Sequence, residues 1–201
     1  MPTRFRFPLI VNPRTGKKFG KTETGAAIWL DERKTSAWKL YQFLLNTDDD
    51  IAPQLMKYFS MLPIVEIEHA IDAWNQEKHT RSLQKMLAVE ITGLIHGTEA
   101  VERIERINAA LFSGSRFMPD DGTLQETDFE ALRHEIPANH EEYNPETIIA
   151  MSPEESVMAC GLVKSKGEAR RLAQQNGITT RIYYGRYLLV RKGKKEYGIV
   201  A

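Results

Sequence analysis

Residues 80–97 read TRSLQKMLAVEITGLIHG. Leu83, Met86, Leu87, Ile91, Leu94 and Ile95 recur at the spacing of one helical face. His96-Gly97 follows, and glycine is the residue best suited to end a helix in a left-handed conformation. A long helix with one apolar stripe must bury it against other elements. The flanking sequence supplies them. Downstream, Val101, Ile104, Ile107 and Leu111 repeat the same spacing. Upstream, Pro63 opens PIVEIEHAIDAWNQ, and IAPQLMKYFSML is a further candidate helix. Ser36 is placed to cap AWKLYQFLLNT, where Trp38, Tyr41, Leu44 and Leu45 share a side. Asp48, Asp49 and Asp50 precede Ile51, where carboxylates complement a helix N-terminus. The expectation is a helical bundle with short connections, its stripes forming a core.

The ends read differently. FPLIV (7–11) is a short apolar run closed by the turn NPRTG, and AAIWLD (26–31) follows a glycine- and lysine-rich loop. SGSRFMPDDGTLQ (113–125) is a surface loop, with a short helix at 128–135. HEIPANHEEYNPET is polar and periodless, so 126–151 is expected to be a linker. Ser152-Pro153-Glu154-Glu155 is a capping box with proline at the first helical position. Ser165-Lys166-Gly167-Glu168 is a second, opening a helix that stops at Asn176-Gly177. The remainder, ITTRIYYGRYLLVRKGKKEYGIVA, alternates branched or aromatic residues with basic ones and reads as two or three strands. The fold class is therefore mainly α, with a helical bundle followed by a small α+β domain. The expected divisions are 1–35, 36–125, 126–151 and 152–201.

The 201 residues carry 27 basic and 27 acidic side chains, and the neutral total hides an asymmetry. From Leu162 to Ala201 there are ten Lys or Arg and two Asp or Glu; subtracting these from 27 of each leaves 17 basic and 25 acidic before that point. A basic end behind an acidic body points to a nucleic-acid contact. The single cysteine, Cys160, rules out a disulfide within the chain and sits in the apolar VMACG as a core residue. A reducing, cytoplasmic setting fits. No signal peptide and no membrane span are expected. His69, His79, His96, His134 and His140 lack metal-site spacing, so no metal site is expected. No serine sits in a nucleophile elbow, and no carboxylate pair stands out.

Two candidates for chemistry remain. GKKFGKTETG (16–25) places Lys18, Gly20, Lys21 and Thr22 in a loop with little side-chain bulk. Lysines reach anionic oxygens and glycines let backbone N–H groups approach. The alternative is a solvated turn, and the glycine spacing is not that of a Walker loop. The second candidate is the helix at Ser165. Lys164, Ser165, Lys166, Arg170 and Arg171 gather at its N-terminal part, where the helix itself favours phosphate. Arg191, Lys192, Lys194 and Lys195 cluster at the Gly193 hairpin. Alternation on the strands would leave a basic face beside an apolar one, a cradle for a phosphate backbone. The alternative is a charged, solvated helix and turn.

Five blocks carry a resemblance. GKKFGKTETGAAIWLDERKTSAWKLYQFLLNTDDD (16–50) resembles the segment of bacterial-type tyrosyl-tRNA synthetases that holds their KMSKS loop. KYFSML and LAVEITGLIHGTEAVERI resemble the family's helical anticodon-binding region. ACGLVKSKGEARRLAQQNG and LLVRKGKKEYGIVA resemble its C-terminal RNA-binding domain, the type named after ribosomal protein S four. The resemblance implies that Lys18, Gly20, Lys21 and Thr22 would hold ATP phosphates, with magnesium, while tyrosyl-adenylate forms in the full enzyme. It implies tyrosine tRNA as partner. It also implies a catalytic domain, absent here, that binds ATP and tyrosine and makes the family's homodimer. The chain alone is thus expected to be an inactive monomer that binds no ATP. Its RNA-binding domain looks shortened after Gly177. Two rivals stand beside this reading: a stand-alone RNA-binding protein, and a nucleotide-phosphate binder using Lys18 and Lys21.

Overall fold

The computed structural model describes residues 10–11, 16, 18–20, 27–112, 124–139, 143–193 and 196–201. The chain divides into two compact units, 1–104 and 105–201. The first is built from α1 (Ala37–Leu45), α2 (Ala52–Phe59), α3 (Ile64–Gln76), α4 (Ser82–His96) and the start of α5 (Thr98–Phe112). Its core gathers Leu40, Tyr41, Leu44, Leu55, Met56, Trp74, Leu83, Leu87 and Ile104.

The helix ends follow from single residues. Ser36 Oγ accepts from the Lys39 N–H at 3.3 Å, capping α1. Gly97 ends α4 with φ +88°, a left-handed conformation that costs glycine little. Leu83, Leu87 and Ile91 are buried along α4, but Leu94 is 60% exposed. The stripe continues past its main partner. Arg81, at the start of α4, donates from Nη2 to the Leu45 and Thr47 carbonyls, at 2.8 and 2.9 Å, at the end of α1. The two helices therefore run antiparallel, and α1 has nine residues to α4's fifteen. The aspartate run stands directly before α2, and one of its members has a further partner. Ile51 is the N-cap of α2, without a side-chain cap bond. Asp49 also accepts from the Nε2 of fully buried Gln84 at 2.6 Å.

The second unit carries the end of α5, then α6 (Glu126–Arg133), α7 (Pro145–Ala150), α8 (Pro153–Ala159) and α9 (Lys166–Gln174). An antiparallel sheet follows: β1 (Ile178–Tyr183), β2 (Tyr187–Lys192) and β3 (Glu196–Val200), in that order. The register pairs Thr180 with Val190 and Val190 with Gly198. One face presents Tyr183, Tyr187, Leu189, Tyr197 and Ile199 to Ile107, Leu111, Phe129 and Leu132. The other presents Leu188, Val190 and Val200 to Ile148, Val157, Cys160, Val163 and Ala169. Helices thus cover both faces, and Tyr187 to Val190 are buried without alternation. The basic strand face expected from the sequence is replaced by a buried central strand.

The segment expected as a linker is largely part of this unit. Phe129 of α6 stacks on Tyr187 with ring centroids 5.2 Å apart. Buried Asp128 accepts from Arg106 at 3.0 Å and from the Gln125 N–H at 2.9 Å. Ala138 bridges Ile199 in parallel. Asn139 then pairs its side-chain amide with both the N–H and the carbonyl of Ala201, each at 2.9 Å. In sequence this polar segment looks unattached because its few apolar residues find partners far along the chain. No helix among the described residues is long and apolar enough to cross a membrane.

Candidate nucleic-acid interface

Ser165 caps α9, its Oγ accepting from the Glu168 N–H at 3.2 Å. Helix α9 ends in a Schellman motif: the Asn176 N–H bonds to the Ala173 carbonyl at 3.1 Å and the Gly177 N–H to the Leu172 carbonyl at 2.8 Å. Asn176 takes the left-handed position with φ +52°. Ala169 is buried, and Leu172 and Ala173 are half-buried, so these three set which side of α9 faces the sheet. Lys164, Ser165, Lys166, Arg170 and Arg171 are exposed. Among the described residues none of these four cations is engaged in an ion pair. Lys166 also borders a groove with Tyr143, Met151 and Met158, but Glu146 and Glu155 line the same groove. Two carboxylates there repel a polyanion, so the outer side of α9 is the better phosphate surface.

The described cations beside the Gly193 hairpin have partners within the unit. Lys192 Nζ donates to the Leu162 carbonyl at 3.0 Å, and stands 3.1 Å from Glu196 and 3.7 Å from Glu168. Its side chain is only 19% exposed. Arg191 Nη2 lies 3.4 Å from Thr179 Oγ1, its partner across β1 and β2. Arg186 is held by Glu126 at 2.8 Å and Glu130 at 3.4 Å. Lys194 and Lys195 lie outside the described residues. The second expected capping box is therefore half made: Ser165 caps, while the Glu168 carboxylate turns toward Lys192. Sequence reasoning passes over Arg181, half-buried with its guanidinium 5.9 Å from the Tyr183 ring. One basic residue in a strand carries no signal that separates it from an ordinary surface cation.

In the first unit, Lys18 is exposed and pairs as an isolated bridge with Val11. The Phe19 N–H bonds to the Ile10 carbonyl at 2.9 Å, and the Phe19 ring lies 5.1 Å from Phe43. Gly20 has φ +102°, and among the described residues, its chain neighbours aside, no atom lies within 4 Å of where a Cβ would stand. A packed phenylalanine thus sits between an exposed lysine and a glycine with positive φ. Lys21 and Thr22 lie outside the described residues. Among the described residues no cluster of histidine, cysteine or carboxylate side chains could hold a metal ion.

The chain is similar to proteins of known activity. The family model for class I tRNA synthetases (W and Y) matches residues 2–113. A tyrosine–tRNA ligase of Dechloromonas aromatica is 35% identical, the match covering 96% of this chain and 46% of the relative. The tyrosine–tRNA ligase of Geobacillus stearothermophilus is 34% identical over 95% of this chain and 46% of its own length. A solved C-terminally truncated mitochondrial tyrosyl-tRNA synthetase of Aspergillus nidulans is 40% identical over 43% of this chain and 25% of that one, with a TM-score of 0.41. The chain spans about half the length of the curated relatives it matches. With more than half of its residues under the family model, the chain belongs to the class I tRNA synthetases of the tryptophan and tyrosine group.

Proposed function

We propose that this chain is the C-terminal, tRNA-binding part of a tyrosine–tRNA ligase. In this reading the helical unit meets the anticodon end of tyrosine tRNA. The α9 and sheet module, of the ribosomal-protein-S-four type, grips nearby backbone. The observation that carries the reading is the exposed cation group on α9: Lys164, Lys166, Arg170 and Arg171 stand close together with no competing ion pair among the described residues. Such a group supplies a salt-dependent phosphate contact without reading sequence.

The lysine loop belongs to the ATP half of the reaction. Lys18, Gly20, Lys21 and Thr22 would meet the phosphates of magnesium-bound ATP in the complete ligase, and the charge they place there stabilises the phosphoryl centre. By itself the chain is expected to bind neither ATP nor tyrosine measurably.

The test is a fluorescence titration against tyrosine tRNA and a short-armed elongator tRNA at two salt concentrations. Preference for tyrosine tRNA with a steep salt dependence supports the reading. Equal, weak binding to both would mean the basic segment supplies charge alone. Replacing Arg170 and Arg171 by alanine is expected to weaken binding to both tRNAs and to lower the salt slope by about 1 for each phosphate no longer neutralised. Unchanged affinity and slope would remove α9 from the interface. The rival is a stand-alone RNA-binding protein; it predicts tight binding with no preference among tRNAs.

A further inference from the structure

In sequence Lys192 groups with the RNA-facing cations, yet its surroundings assign it other work. An ammonium group has three N–H donors. Three oxygens surround this one, from the Leu162 carbonyl, Glu196 and Glu168. Leu162 lies in the turn that leads into Lys164 and Ser165. Glu168 lies in the first turn of α9, and Glu196 opens β3. One half-buried cation at the end of β2 therefore ties the sheet to both sides of the α9 N-terminus. The same contact explains why the Glu168 carboxylate leaves the Ser165 N–H and completes no capping box.

We infer that Lys192 is a positioning residue: it holds α9 and the 162–165 turn in place so that Lys164, Lys166, Arg170 and Arg171 present one surface. It makes no phosphate contact itself. This rests on the RNA-binding reading above. Glu168, although acidic and close to the cation group, then favours RNA binding, because it anchors the helix.

The experiment compares Lys192→Met, Lys192→Arg and Glu168→Gln with the unsubstituted chain. Tyrosine-tRNA affinity is measured as a function of salt, and amide hydrogen exchange is followed across 162–170. Lys192→Met is expected to lower affinity about fivefold with the salt slope unchanged, whereas removing a phosphate-binding cation would reduce that slope by about 0.9. Glu168→Gln is expected to lower affinity too. By charge alone, removing a carboxylate beside a polyanion site would raise it. Both substitutions should speed exchange at the Glu168 and Ala169 amides, and Lys192→Arg should restore slow exchange and most of the affinity. A reduced slope in Lys192→Met, or tighter binding by Glu168→Gln, overturns the inference. If the unsubstituted chain shows no salt-dependent tRNA binding, the RNA reading fails. Exchange then decides the positioning claim: unaltered rates in Lys192→Met refute it.

Discussion

At the scale of single residues, Gly198 and Cys160 show how tightly β3 is seated. A Cβ on Gly198 would stand 2.7 Å from Cys160 Sγ and 3.0 Å from the Pro137 carbonyl oxygen. No rotamer relieves the contact with the backbone oxygen. Gly198→Ala is expected to destabilise the fold by about 1–3 kcal/mol, the usual cost of overpacking, read from the denaturation midpoint. An unchanged midpoint would mean β3 shifts freely. Cys160 itself is legible in VMACG as a small core residue, and burial pushes its thiol from an ordinary 9.0 up to about 11. A raised pKa means the folded state favours the protonated thiol. That contribution is whole below pH 9 and is lost as pH rises toward about 11. Denaturation at pH 8 and pH 10.5 should therefore show a smaller pH loss in Cys160→Ala than in the unsubstituted chain; equal losses would refute the shift. Gly198 is not legible, because its neighbour lies 38 residues away and a strand glycine has several possible causes.

Elements are most legible where their periodicity is long. The apolar repeats announce α4 and α5, and the caps at Ser36, Gly97, Ser152 and Ser165 fall at element boundaries. For short elements the sequence shows at most the helix, as at 128–135, and not the distant partners that hold it. In α6 only Phe129 and Leu132 are buried apolar residues, and the tyrosines they meet come some fifty residues later. Arg81 is another such case. Nothing in HTRS suggests that one arginine both starts α4 in a left-handed conformation, φ +54°, and closes the carbonyls of α1. Arg81→Ala is expected to cost about 1–3 kcal/mol, since carbonyl acceptors lose a charged donor. Arg81→Gly should cost less, because glycine removes the backbone strain while losing the same bonds. A larger loss in glycine than in alanine would show that the left-handed backbone at this position holds no strain for glycine to relieve.

For the whole molecule, the charge asymmetry translates into a clear division of labour. The sequence places the basic residues at one end correctly, but does not say which of them the fold consumes. Arg186 and Lys192 form ion pairs within the second unit, while the α9 cations stay exposed. Because the chain spans about half of its relatives' length, catalysis belongs to a test on this chain alone. Mixed with tyrosine, ATP and magnesium, it is expected to give no pyrophosphate exchange. Measurable exchange would show that the lysine loop has a complete partner set within these residues.

The place of β3 sets an order on biosynthesis. Residues 196–200 pair with β2 on one side, and residue 199 bridges Ala138 on the other. The second unit therefore cannot close its sheet until residue 200 has left the ribosome. The first unit draws its core from residues that emerge earlier, Ala37 to Ile104. During translation the helical bundle can be complete while α6, α8 and α9 still wait for their strands, with Phe129, Val157 and Ala169 exposed to chaperones until β3 emerges.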